Sequence, residues 1–143
     1  MPELKSSLSA DNDYYGSARS LNRKELGQLG EQFALDYLLA RGMLLVKRNW
    51  TSRIGEIDLL LSDRSCLVFV EVKSRATSRY AESYLFANIS SQKKRKLRQL
   101  VNLYLRNNYR GIAAPEVRID AVGVLICPLS RRAEKIIHKP AAV

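Results

Sequence analysis

Gly55-Glu56-Ile57-Asp58-Leu59-Leu60-Leu61, then Ser62-Asp63-Arg64-Ser65, then Cys66-Leu67-Val68-Phe69-Val70-Glu71-Val72-Lys73: two apolar runs flank a four-residue polar break. Ile54 to Leu61 reads as one strand, Ser62 to Ser65 as a turn, and Cys66 to Lys73 as the next strand, so the pair forms an antiparallel hairpin. The second run is dense in β-branched and aromatic residues and belongs in the middle of a sheet. Strand periodicity puts Glu71 and Lys73 on one face, with Phe69 nearer the middle, and puts Glu56 and Asp58 together on the neighbouring strand. Counting outward from the turn, Leu61 faces Val68, Leu60 faces Phe69, and Asp58 is expected to face Glu71.

Outward from the hairpin, Met43 to Trp50 reads as a preceding strand, joined by the polar link Thr51 to Arg53. Before it, Asn22 and Glu25 form a capping box, and Leu26, Leu29, Phe33, Tyr37 and Leu38 mark a helical stripe that Gly42 ends. Gly27, Gly30 and Ala34 would let another backbone approach that helix closely. Glu31 sits at the stripe's edge, where spacing alone leaves it pointing to water. After the hairpin, Ser74 to Ala87 reads as a loop or short helix. Its Tyr80 and Tyr84 suit base stacking or core packing equally. Ser90 to Asn107 is a second long helix, with Leu97, Leu100, Val101, Tyr104 and Leu105 buried. Val117 to Ile126 is a buried strand containing Asp120, and Lys135 to Lys139 is an edge strand or tail.

The chain has 143 residues, a length that holds one domain of ordinary size and excludes two. Residues 1–20 are polar and aperiodic and are expected to be a flexible extension, leaving 21–143 as the domain. The formal net charge is +10 and unevenly placed: residues 1–71 carry nine basic and ten acidic side chains, residues 72–143 fifteen and four. Such a field favours a polyanion. Cys66 and Cys127 match no metal spacing or disulfide framework and read as buried thiols of a cytoplasmic protein. No run approaches the roughly 18 apolar residues of a membrane span, and the N-terminus lacks the apolar core of a signal peptide. The only histidine, His138, falls near the C-terminus and reads as inert, and Trp50 as structural. Neither a serine-type triad, a nucleophile elbow, a Walker loop nor a dinucleotide fingerprint is present.

Two carboxylates meeting at one end of a sheet repel each other, and burial aggravates this. A hard cation relieves both problems. Mg²⁺ is commonly held by one or two carboxylates with water and substrate phosphate completing its shell. Asp58 and Glu71 would suit it, with Lys73 beside the nucleophilic water or the phosphate. The plainer alternative is a set of surface ion pairs among Asp58, Glu71, Lys73 and Arg75. Five of the six residues Lys93 to Arg98 (Lys93, Lys94, Arg95, Lys96 and Arg98) are cationic at a helix start, where positive charge is unfavourable unless an anion offsets it. Phosphates would do so, assisted by Ser90, Ser91 and Gln92. Individually, each lysine reads better as part of a solvated face; the cluster as a group favours phosphate.

Gly30-Glu31 with Ala34, Arg48-Asn49, Gly55-Glu56-Ile57-Asp58-Leu59, and Val68-Phe69-Val70-Glu71-Val72-Lys73-Ser74-Arg75 together resemble the YraN family of small bacterial proteins. That family is similar to the PD-(D/E)XK nucleases and archaeal Holliday junction resolvases. The resemblance covers roughly Arg23 to Ile126. It implies an α/β, restriction-endonuclease-like core, a mixed sheet flanked by helices in the order α-β-β-β-α-β. By resemblance, Asp58 is the motif aspartate, Glu71 and Lys73 supply the Glu-x-Lys, and Glu31 is an acid from the first helix. The metal ligands implied are Asp58, Glu71, the Val72 carbonyl and Glu31, for Mg²⁺ or Mn²⁺; Lys73 positions the attacking water. Gln92 and Lys93 correspond to the helix facing the site, and Arg53 and Arg75 join Lys93 to Arg98 in steering the backbone. Asp120 resembles an acid of the last core strand. Ile57 replaces the proline of the superfamily name, as in the YraN family, and Tyr80 to Ala87 departs from the usual glycine-containing loop. The function implied is metal-dependent endonuclease cleavage of DNA, branched or structured DNA included, with a homodimer if the substrate is a junction. The alternatives are an inactive nucleic-acid-binding module and a protein-interaction component of a DNA-processing assembly.

Overall fold

Helix α1 (Arg23–Ala40) starts where Asn22 closes its first turn: the Asn22 side chain accepts the Glu25 N–H at 2.8 Å and donates to the Glu25 carboxylate at 2.7 Å. It ends as the chain reverses through Gly42 (φ +92°), whose N–H donates to the Leu39 carbonyl while Met43 N–H donates to that of Leu38. This pairing satisfies two carbonyls the helix leaves open, and Met43 and Leu38 pack together in the core beneath it. The structure, a computed structural model, describes residues 21–143; the extension expected over residues 1–20 lies outside them.

After α1 come β1 (Leu44–Ser52), β2 (Gly55–Asp63) and β3 (Cys66–Ala76), then a single helical turn α2 (Ala81–Tyr84), the long helix α3 (Ser91–Asn108, capped by Ser90), β4 (Glu116–Ile126) and β5 (Ala133–Lys139). The strands form one five-stranded mixed sheet in the order β1-β2-β3-β4-β5. β3 and β4 are parallel and every other pair is antiparallel. The long return through α3 is what permits the parallel pair. α1 covers one face through Ala34, Leu35 and Leu38 against Leu59, Leu61, Val68, Val70, Val122 and Val124. α3 covers the other through Leu97, Leu100, Val101 and Tyr104 against Ile57, Leu60, Leu67, Phe69 and Ile119.

The hairpin register is as counted from the turn, with Leu61 opposite Val68 and Leu60 opposite Phe69, and Arg64 (φ +58°) turning the chain. The buried stripe of α1 is rotated from the expected one. Gly30, Ala34, Leu35 and Leu38 lie deepest, while Leu26, Leu29, Phe33 and Tyr37 flank the core. Small residues centre the stripe because α1 lies close to the sheet: a Cβ on Gly30 would collide with the Ser74 side chain. Tyr80 and Tyr84 are exposed and do not pack into the core. Both cysteines are free and half-buried, not buried as expected.

Asp120 is fully buried and accepts hydrogen bonds from Arg118 Nε (2.8 Å) and from the Ala141 N–H (2.9 Å), with His138 Nε2 at 2.8 Å. His138 therefore belongs to a strand–tail junction, which corrects its reading as an inert residue near the end of the chain.

Candidate functional site

The site arises where β2 leaves β3. Leu59 and Leu61 point toward α1 and Leu60 toward α3, as alternation requires, yet Ile57 also points toward α3. The phase slips at Asp58. The β2–β3 register ends at Leu59 opposite Val70, so the expected pairing of Asp58 with Glu71 does not form. Instead the Asp58 carboxylate accepts the Val72 N–H at 2.8 Å, taking the place of the departed strand. Within a strand, a residue's N–H and C=O point toward the same neighbour. The Val72 carbonyl therefore faces the same opening as Asp58.

Across β1, Asn49 adopts a left-handed backbone (φ +49°) opposite this slip, and its side chain hydrogen-bonds Glu31. Asparagine tolerates this conformation better than most residues. Burial, followed by the Glu56 charge, raises the Glu31 carboxyl above its ordinary range; the Asn49 bond and the Arg48 charge oppose this. The Asp58 carboxyl is pushed up to about 7, first by burial and then by the Glu71 charge, against the lowering effect of the Val72 N–H. Glu71 is 5% exposed, and its Oε1 lies 3.2 Å from Lys73 Nζ and 3.3 Å from Lys93 Nζ. Lys93 reaches it because Ser90 caps α3 through the Lys93 N–H, directing the helix's first turn at the strand end.

Glu31, Asp58, Glu71, Lys73 and Lys93 thus share one region, with Glu31 approaching from α1 and the Glu71 pair from the α3 face. Asn49 and Glu56 were not assigned roles from sequence; a left-handed Asn beside an acid-bearing strand is a signal visible only with the backbone in hand. Glu31, Val72, Lys73 and Arg75 line a cleft of about 570 Å³ that also reaches Arg23 and Asn88. Arg75 lies 5.9 Å from the Tyr84 ring centroid. The remaining cations spread apart. Lys96 leans over Gly55, Arg53 is exposed in the β1–β2 turn, and Arg98 lines a separate hollow with Arg118 and Val143. Gln92 and Arg95 are exposed and Lys94 is half-buried.

Among the described residues no three His, Cys, Asp or Glu side chains converge as a ready-made metal cage. The donors at the β2–β3 opening are two carboxylates and a backbone carbonyl, which suits a hard cation that keeps several waters and would not suit zinc. Burial and then the Glu71 charge raise the Asp58 carboxyl, and a bound hard cation would oppose both effects. The residues therefore fit Mg²⁺ or Mn²⁺.

Fold and site together define an α/β protein whose mixed sheet holds a buried Glu71, a half-buried Asp58 and two lysines at one end. The chain belongs to the uncharacterised protein family UPF0102, which it matches over residues 30–124, bearing out the resemblance drawn from the motifs. It is 39% identical over 117 residues to a UPF0102 protein of Mycolicibacterium vanbaalenii, covering 82% of this chain and 92% of the relative. A UPF0102 protein of Mycobacterium ulcerans is 40% identical over 110 residues, 76% of this chain and 87% of the relative. One of Mycobacterium tuberculosis is 37% identical over 123 residues, 84% and 93%. The family match spans Glu31, Asp58, Glu71, Lys73 and Lys93. No helix among the described residues is long and apolar enough to cross a membrane.

Proposed function

We propose that the protein is a metal-dependent phosphodiesterase acting on DNA, built on a PD-(D/E)XK-type core. The observation that carries this reading is the opening between β2 and β3, where the Asp58 carboxylate caps the Val72 N–H beside Glu71 and is raised by burial and then by the Glu71 charge. Asp58, Glu71 and the Val72 carbonyl would hold Mg²⁺ or Mn²⁺, with Glu31 ligating directly or through water. The bound ion would supply Lewis acidity toward a phosphoryl oxygen and lower the pKa of a bound water. The Val72 N–H fixes the orientation of Asp58. Lys73, tethered by Glu71, holds the attacking water in line with phosphorus. Lys93 supplies a second positive charge for the developing phosphorane, and the outer lysines and arginines of α3 bind flanking phosphates.

The test is incubation of the full chain with labelled single-stranded, duplex, flap and four-way-junction DNA in Mg²⁺ and in Mn²⁺, beside Glu71→Ala and Lys73→Ala. Cleavage by the wild type that both variants lose is expected; a two-fold dimer is expected if the junction is the substrate cut. Cleavage surviving in both variants places the activity elsewhere. Salt-dependent binding without cleavage by any of the three proteins replaces this reading with a nucleic-acid-binding module, and weak binding to every DNA with a stable protein partner replaces it with a component of a DNA-processing assembly.

A further inference from the structure

Between the β1–β2 turn and the outer face of α3 lies a cleft of about 800 Å³. Its helical wall is a stripe at i, i+3, i+4, i+7 and i+8, comprising Gln99, Asn102, Leu103, Arg106 and Asn107. The stripe lies beside the buried row of Leu97, Leu100, Val101 and Tyr104. Its opposite wall is the turn carrying Trp50 and Arg53.

The composition of these walls is selective. An exposed helix face ordinarily mixes Glu with Lys. The 18 residues of α3 include no Asp or Glu, and neither does the turn from Trp50 to Ile54. Two guanidinium groups, three carboxamides and an indole remain, and no ion pair engages Arg53 or Arg106 among the described residues. Guanidinium groups grip phosphate in a fork; a carboxamide offers a donor and an acceptor in one plane, matching the edge of a nucleobase; an indole provides a stacking surface. The volume falls within the range of sites that enclose small ligands.

We propose that this cleft binds an unpaired nucleotide of a nucleic-acid strand. A base within a duplex has its Watson–Crick edge occupied and its faces stacked, so only an unpaired or turned-out base can enter a recess and meet three carboxamides. Asn102 stands about half a turn around α3 from Lys93, so a strand running from the carboxylate site into the cleft would wrap across the helix. Lys93 contacts Glu71 at one end of α3, and Asn102 stands about 14 Å further along by the rise of an α-helix. The course of the strand rests on the phosphodiesterase reading, whereas occupation of the cleft does not require cleavage. The preferred substrate then carries a single-stranded segment, a flap or an open loop, next to the bond that is cut.

Trp50 is the chain's single tryptophan; it lines the cleft and meets Tyr104 edge-on at 5.4 Å between centroids, so its emission reports on this cleft and the core beneath it. The full chain is titrated in EDTA with short oligodeoxyuridylate, oligouridylate and blunt duplex DNA, following Trp50 fluorescence and the anisotropy of labelled strands. Quenching of Trp50 by the single strands and weaker binding of the duplex are expected. Arg106→Ala and Asn102→Ala, both exposed changes, each weaken single-strand binding about tenfold. Arg64→Ala, in the β2–β3 turn, leaves it unchanged. Equal binding of the two single strands supports recognition of base and phosphate, and preference for either supports the cleft while naming its sugar. The proposal is overturned by strand binding that leaves Trp50 emission unchanged, by a duplex that binds as tightly as the single strands, or by full affinity in the Asn102→Ala/Arg106→Ala double variant. Cleavage without quenching removes this cleft and leaves the phosphodiesterase reading; quenching that responds to Arg106→Ala, without cleavage in Mg²⁺ or Mn²⁺, does the reverse.

Discussion

Burial, and then the negative charge of Glu71 beside it, disfavours ionising Asp58, whose carboxyl is pushed up to about 7 from an ordinary value of 3.8. The folded protein thus keeps a proton across a range in which the unfolded chain has lost it. Stability from this group is fully present below about pH 4 and is lost as pH rises through about 7. Asp58→Asn keeps an oxygen for the Val72 N–H and carries no charge. Thermal melts should show it matching the wild type near pH 4 and exceeding it near pH 8, by up to roughly 4 kcal/mol. Mg²⁺ should raise the wild-type melting temperature more at the higher pH and leave Asp58→Asn/Glu71→Gln unmoved; equal shifts in both proteins would place the ion elsewhere. The acids themselves were legible from strand alternation, because Asp58 and Glu71 interrupt apolar runs. Their true relation was not: it depends on the phase slip between Ile57 and Leu59, which leaves no mark in a pattern of apolar and polar residues.

At the scale of elements, the approach of α1 to β3 places Glu31 near the strand end. Gly30 makes it possible, since a methyl group there would strike Ser74. Gly30→Ala should destabilise the protein by about 1–3 kcal/mol in urea unfolding, as overpacking does. The Ser74→Gly change should recover most of that loss in the double variant, and failure to recover it would mean that helix propensity or another contact dominates. Ser74 Oγ is itself buried without a hydrogen-bond partner among the described residues. The spacing of Gly27, Gly30 and Ala34 announced a close approach from sequence, but not its partner, because the small residues of a helix do not say which strand they meet. The parallel β3–β4 pair was better encoded: a long helix lies between two apolar runs, and antiparallel neighbours rarely need one. The four-residue turn read over Ser62 to Ser65 likewise set Leu60 opposite Phe69, although the strands pair on to Asp63 and Cys66 and leave only Arg64 and Ser65 in the loop.

For the whole molecule, the uneven charge seen in the sequence becomes a directed field. Of the four acids after residue 71, Asp120 is bound by Arg118 and the Ala141 N–H with His138 beside it, and Glu82 pairs with Lys135. Asp120→Ala would leave those partners around an empty site, and a loss of about 3–5 kcal/mol in denaturant unfolding is expected. None of these acids lies on α3, so the exposed Arg95, Lys96 and Arg98 have no negative charge on their own helix. A strand drawn to that surface releases counterions in proportion to the phosphates neutralised. With Glu71→Gln to prevent turnover, the logarithm of single-strand affinity should fall linearly with the logarithm of salt concentration. Each of Lys94→Ala, Arg95→Ala and Lys96→Ala that removes a phosphate contact should flatten that slope by about 0.7. Arg64→Ala should leave the slope intact, because the β2–β3 turn lies at the opposite end of β3 from Lys73. If Arg64→Ala flattened it as much as the α3 variants did, the positive charge would act as a general coat, and the directional link between α3 and the acid pair would fall.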